Sequence, residues 1–302
     1  MQFRELLKNS IDDLREFFDD KLEFKVEILE RASRMHICVK GAGEEKKIAI
    51  SKDMANYEID NSIDYLMCLI IIGHEMAHCL CEHNKFINTE RMDGVAIEGY
   101  ADYFGARITY SLLNFGKFNF KEFSKIYEAI PFSSRARLNK WLARDEIFRV
   151  TGLSLKKLND LFYKSADGTG KYPCSETRVL TFIAGIVSFF YRYQGNISQR
   201  NFLKIFCTIW DSGEFVSSID HSSQEHIERI GRIHSDIQGD NKRITSGISD
   251  KYDRLFSTEF DISEKSIKRR INGFKHMFSS WDDELSENII NQLNQQLDNI
   301  ES

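Results

Sequence analysis

The sequence predicts an α+β fold, mostly helical, in which a small antiparallel sheet precedes a buried helix and a helical C-terminal part follows. Three observations predict it. Only 2 prolines and 17 glycines in 302 residues leave little material for a loop-rich β architecture. Three short extended segments, 24–29, 35–39 and 47–50, cluster ahead of residue 51, and Lys40-Gly41-Ala42-Gly43-Glu44-Glu45 between the last two suits a hairpin. Beyond them, apolar residues recur at helical spacing.

The first element is an amphipathic helix. Phe3, Leu6, Leu7, Ile11, Leu14, Phe17 and Phe18 repeat at helical intervals with charges between them, so this helix needs a surface to lie on. After the strands, residues 51–61 form a polar connection. Asn61 or Ser62 can cap the next helix, with Asp64 in its first turn. That helix carries the apolar run Tyr65-Leu66-Met67-Cys68-Leu69-Ile70-Ile71-Ile72 and reads as buried. A polar link, 82–94, leads to a second helix beginning near Val95. Segments 120–130, 134–149, 154–163 and 175–193 are further helices, and the chain beyond 192 is helical without chemical signals of its own.

Composition bounds the function. The 42% hydrophobic content fills a sizeable core. A net charge of −5 with both signs interspersed gives no electrostatic footprint for nucleic acid or an anionic membrane. The six cysteines (Cys38, Cys68, Cys79, Cys81, Cys174, Cys207) show no disulfide-scaffold spacing. The first residues carry acid early and lack a signal-peptide core, and the run Leu66 to Ile72 is far shorter than the ~20 residues of a membrane span. The expectation is a cytoplasmic protein in a reducing compartment, with no nucleic-acid and no membrane partner.

The chemistry begins at the end of the buried helix, with Gly73-His74-Glu75-Met76-Ala77-His78. Positions i and i+4 share a helix face, so His74 and His78 can aim both imidazoles at one metal ion. Glu75 lies about 100° round from His74. It is off the ligand face but within reach of a water on the metal. An HExxH pattern arises by accident on the order of once in a hundred such chains, so it needs a second signal. Val95-Ala96-Ile97-Glu98-Gly99-Tyr100-Ala101-Asp102 supplies one. Glu98 follows His78 after nineteen residues, on a neighbouring helix, and completes the three protein ligands a catalytic zinc requires. Asp102, one turn on, can accept the free ring N–H of a ligand histidine. Ala101 and Gly105 fall on the Glu98 side and allow the two helices to approach closely.

This HExxH-x19-ExxxD pattern is similar to the gluzincin metallopeptidases, with thermolysin-like spacing. Residues 98–106 also resemble the E-x-x-A-[DN]-x-F-x-A stretch of ImmA/IrrE-type and HtpX-like bacterial peptidases. The motif-bearing match covers about residues 65–115. It implies a zincin-like domain over 1–212, followed by a helical region over 213–302, with Zn2+ as cofactor and Glu75 as general base. In zincins an edge strand of the small sheet commonly pairs with an extended substrate peptide. Tyr172-Pro173-Cys174-Ser175-Glu176-Thr177-Arg178 resembles the H-P-x-x-x-x-R segment of HtpX-like peptidases, with tyrosine in place of histidine. By that analogy Tyr172 is a catalytic oxyanion donor, and Arg178 stands behind the metal ligands. The alternative for Arg178 is a structural salt bridge in a proline-started helix.

Other metal readings fit worse. In the metzincin pattern Cys81 stands where a glycine belongs and Asn84 where the third ligand belongs. His83 lies about 140° round from His78 and joins the pair only if the helix ends first. Cys79 and Cys81 read as buried free thiols. His226 and His234 lie along an isoleucine stripe and are read as structural, with a reach to the cleft left open. The function expected is a zinc endopeptidase acting on a specific protein or peptide substrate, comparable in class to the Lit-like phage-exclusion peptidases. The alternative is a zinc-binding regulatory or interaction protein with a zincin fold and no proteolysis. The sequence assigns no oligomeric state.

Overall fold

The computed structural model describes residues 1–18, 25–29, 35–41, 45–85, 91–128, 140–163, 173–194, 199–215, 247–249, 252 and 255–256. It is mostly helical, with a three-stranded sheet near the N-terminus. The chain divides into two compact units, Met1–Ser257 and Thr258–Ser302, and only the first contains described residues. Residues 247–249 and Tyr252 return to the first helix: the Tyr252 ring sits 4.5 Å from that of Phe17, and the amide of Ser249 donates to the carbonyl of Phe17.

Helix α1 (Phe3–Phe17) buries the apolar face its sequence laid out, from Phe3 to Phe17. One polar residue goes under with it. Asp13 is fully buried and accepts the amides of Phe118 and Asn119, both at 2.9 Å, and the side-chain amide of Asn119 at 2.7 Å. It thereby satisfies donors at the start of a helix more than a hundred residues away, which otherwise lack partners. The hydroxyl of Tyr65 donates to Asn119 Oδ1 at 2.8 Å and ties a third helix into the same joint. Gly116 makes the approach possible, because a Cβ there would meet Asp13 Oδ2 at 2.4 Å.

The sheet corrects one expectation. Its strands are β1 (Lys25–Leu29), β2 (Ile37–Lys40) and β3 (Lys47–Ser51), in the order β1-β3-β2. β2 and β3 form the expected antiparallel hairpin, but β1 pairs with β3 in parallel, so the sheet is mixed. The strand order follows from β3. Ile48-Ala49-Ile50 is a continuous apolar run and takes the central position, buried on both faces. β2 is left as an edge strand. Gly41, at φ +76°, opens the hairpin turn in the left-handed region.

After the single turn α2 (Lys52–Ala55), helix α3 (Ser62–Leu80) begins on Asn61, whose side chain accepts the amide of Asp64 at 3.0 Å. α3 is apolar all round and forms the centre of the first unit. It is long and apolar enough to cross a membrane, with a mean hydropathy of 1.4, but 83% of that window is buried against protein. Helix α4 (Arg91–Phe115) packs along it, α5 (Lys117–Glu128) follows, and α7 (Ser175–Gln194) covers the other side of α4.

Helix α6 (Lys140–Leu158) passes through Gly152, where the sequence suggested a break between two helices. The glycine serves packing. A Cβ there would lie 2.3 Å from the carbonyl oxygen of Ile209 in α8 (Gln199–Ser212). α6 ends in a π-helical turn, Asn159–Tyr163.

Candidate metal centre

The site is built where α3 and α4 cross. Gly73 and Gly105 face each other at the crossing. A Cβ on Gly105 would lie 2.8 Å from the Cα of His74, and one on Gly73 would lie 2.6 Å from the carbonyl oxygen of Gly105. With no side chains between them, the backbones touch, and His74 and His78 on α3 reach Glu98 on α4.

The Nε2 atoms of His74 and His78 are 3.0 Å apart; Glu98 Oε2 lies 3.2 Å from the first and Oε1 lies 3.7 Å from the second. Zinc bonds of about 2.0–2.1 Å at tetrahedral angles place neighbouring donors about 3.3 Å apart. The observed edges bracket that value. Among the described residues, His74, His78 and Glu98 form the group able to hold a metal ion.

The back of each ring decides which nitrogen faces inward. Asp102 Oδ1 lies 2.9 Å from Nδ1 of His74, off the line of an ideal N–H bond but within ion-pair reach. Nδ1 of His83 lies 2.8 Å from Nδ1 of His78. Protons held on the outward Nδ1 atoms leave both Nε2 lone pairs converging on a carboxylate, an arrangement that repels itself unless a cation sits among the donors. The electrostatics agree. Burial alone would lower the pKa of His74, but Asp102 and Glu98 outweigh it and push the imidazole up to about 10. Burial would raise Glu98, yet the two imidazoles hold it well below the usual carboxylate range. The residues therefore fit a metal ion with nitrogen and oxygen ligands.

Asp102 is itself anchored. Arg178, from the first turn of α7, donates to Asp102 through Nε at 2.8 Å and through a terminal nitrogen at 2.9 Å, a two-point contact in a buried place. The same terminal nitrogen lies 3.8 Å from Glu98. Burial would raise the Asp102 carboxyl; Arg178 and His74 bring it below its ordinary value. The structure thus brings His74, His78, Glu98, Asp102 and Arg178 into one network. The two readings of Arg178 merge, since its salt bridge is made to the carboxylate behind His74.

Glu75 is 8% exposed and stands outside the donor group, lining the same cleft. That cleft has a volume of about 470 Å³, within the range of small-molecule and peptide-side-chain pockets. Residues Met35 to Val39, along β2, form one wall; Ile70, Ile71 and Ile97 lie near the ligands, and Leu158, Phe162 and Tyr163 close another side.

Two participants were not assigned from sequence. α3 ends at Leu80, and Glu82 adopts φ +48°, turning the chain so that His83 falls behind His78 rather than toward the donors. No glycine announces that turn. Tyr163 ends a segment whose sequence marks only an ordinary helix, but its ring packs against the Arg178 guanidinium at 3.9 Å and borders the cleft. Cys79 and Cys81 are buried free thiols; burial pushes Cys79 up to about 12 and Cys81 above the thiol range. Tyr172, His226 and His234 lie outside the described residues.

No protein-family model matches the chain, and neither does any curated protein or any solved structure.

Proposed function

We propose that the protein is a zinc-dependent endopeptidase of gluzincin type that cuts a specific protein substrate. One observation carries this reading: a three-donor group, His74, His78 and Glu98, opens onto a cleft beside a carboxylate, Glu75, that is not part of it. Structural zinc sites close with four protein ligands, whereas catalytic ones keep a position open. A base beside an open position has no use in a purely structural site.

When bound, the ion would supply Lewis acidity and lower the pKa of a water toward ~7. The residues divide the remaining work. The Glu75 carboxylate accepts the proton of the attacking water and returns it to the leaving amine nitrogen. Asp102, held by Arg178, fixes the His74 ring. β2, the sheet edge beside the cleft, offers its backbone to an extended peptide, and the apolar wall receives a side chain. On this reading the protein works in the cytoplasm, without nucleic acid or membrane, and its helical parts help to choose the substrate.

The test combines metal analysis of purified protein with proteome-wide mapping of new N-termini in cells expressing wild type or Glu75→Gln. The wild type should carry about one zinc per chain and generate new termini. Glu75→Gln should keep the zinc and generate none, and Glu98→Ala should lose the zinc. Cleavage undiminished in Glu75→Gln would refute the base. Zinc retained with no cleavage by either form would favour a regulatory zinc protein.

A further inference from the structure

We propose that His83 is the positioning residue of His78, acting as a neutral hydrogen-bond acceptor where His74 has a charged one. The inference rests on the metal-centre reading above and extends it to a residue that touches no ion. The two Nδ1 atoms are 2.8 Å apart, and the rings stand nearly perpendicular at 86°. A contact that short between ring nitrogens that share no metal ion requires one proton between them. Nε2 of His78 faces His74 and Glu98 at 3.0 and 3.7 Å, so its lone pair belongs to the donor group and its proton to Nδ1. His83 Nδ1 must then accept, which places the His83 proton on Nε2. The geometry selects one tautomer for each ring.

The local fold is shaped to this contact. His83 is fully buried, in the 3-10 turn His83–Lys85 just past α3. Glu82 takes a left-handed backbone to bring it there, a conformation most side chains avoid. The ring of Tyr100, on α4, stands 5.8 Å away at 79°. A residue merely continuing the helix would point elsewhere.

The two ligand histidines are therefore oriented by different chemistries. His74 leans on an Asp102–Arg178 pair, and His78 leans on an imidazole. A neutral acceptor orients the ring without adding a second negative charge behind the donor group.

The test measures zinc affinity by chelator competition on full-length wild type, His83→Ala, His83→Gln and His83→Met, with unfolding curves of the metal-free forms. Loss of such an outer contact typically weakens metal binding about 10–100-fold. We expect that loss in His83→Ala and His83→Met, with at least partial recovery in His83→Gln, whose amide oxygen can accept the same proton. The visible spectrum of the cobalt-substituted protein should shift in His83→Met and return toward wild type in His83→Gln. Wild-type affinity in His83→Ala would overturn the proposal. If the alanine variant does not fold, equal affinities for the glutamine and methionine variants would overturn it, and tighter binding by glutamine would support it. Wild-type protein that binds no zinc would remove both this proposal and the metal centre. Zinc bound by wild type, lost in Glu98→Ala and unchanged in His83→Met would remove this proposal alone.

Discussion

Replacing Gly105 by alanine tests the helix crossing on which the site depends. The added Cβ would stand 2.8 Å from the Cα of His74, 2.9 Å from its amide nitrogen and 3.0 Å from the carbonyl carbon of Gly73. All three are backbone atoms, so no side chain can swing aside. Carbon contacts are comfortable at ~3.5–4.0 Å, so α3 and α4 must part locally by about 0.7 Å. Overpacking of this kind costs about 1–3 kcal/mol. At about 2–4 °C per kcal/mol for a chain this long, the metal-free Tm should fall by about 2–12 °C. Metal sites tolerate bond-length errors of only about ±0.2 Å, so parting the helix of His74 from that of Glu98 should also weaken zinc binding at least ~10-fold. Gly99, on the same helix, provides the control. A Cβ there meets nothing within 4 Å, so Gly99→Ala should raise stability by about 0.5–1 kcal/mol through helix propensity alone. Differential scanning fluorimetry and chelator competition read both quantities. If Gly105→Ala proves as stable and as tight for zinc as Gly99→Ala, the close crossing is wrong.

Asp102→Ala should weaken zinc binding or turnover about 10–100-fold without abolishing it, as measured by competition titration; complete loss of zinc would make Asp102 a ligand, and no change would place it outside the network. Because metal-free His74 titrates at about 10, zinc binding at pH 7.5 should release about one proton, visible as a calorimetric enthalpy that varies with the ionisation enthalpy of the buffer. The raised pKa of His74 also stabilises the metal-free fold fully below ~6.5 and progressively less as pH rises through about 10. The lowered Glu98 and Asp102 contribute above their unfolded values, about 4, and lose that contribution as pH falls. Metal-free Tm should therefore be highest between roughly pH 4 and 6.5. If Tyr172 is the oxyanion donor, Tyr172→Phe should lower kcat about 100–1000-fold with zinc content unchanged, and a comparable loss in Tyr163→Phe instead would move the donor to the cleft wall.

The parts legible in the sequence were those with a period or a spacing. The HExxH helix, Glu98 on the adjoining helix and the buried face of α1 all follow from intervals along one chain segment. Gly105 was legible as a close-approach residue because small residues beside a ligand have few other uses there. What escaped depends on partners remote in sequence. β1 lies beside β3 rather than beside β2 because β3 needs cover on both sides, and strand patterns express neither that order nor the parallel direction. Gly152 looks like a helix break until α8 is placed against it. His83 reaches His78 through a left-handed Glu82, a residue type that gives no local warning of the turn. Arg178 had two readings because the sequence could not place Asp102 opposite it.

The buried carboxylate of Asp13 has a consequence for how the chain reaches this structure. Its partners, the amides of Phe118 and Asn119, lie 105 and 106 residues further on. Until α5 arrives, docking α1 onto α3 would strand a carboxyl group and the Tyr65 hydroxyl without partners in an apolar interior, which is strongly unfavourable. Joining such distant segments is slow, because the loop entropy is lost before the contact forms. The N-terminal helix should therefore lock late, after the α3–α4 pair has formed. In hydrogen-exchange pulse labelling, α1 and the start of α5 would gain protection together, in one step behind the metal-binding helices.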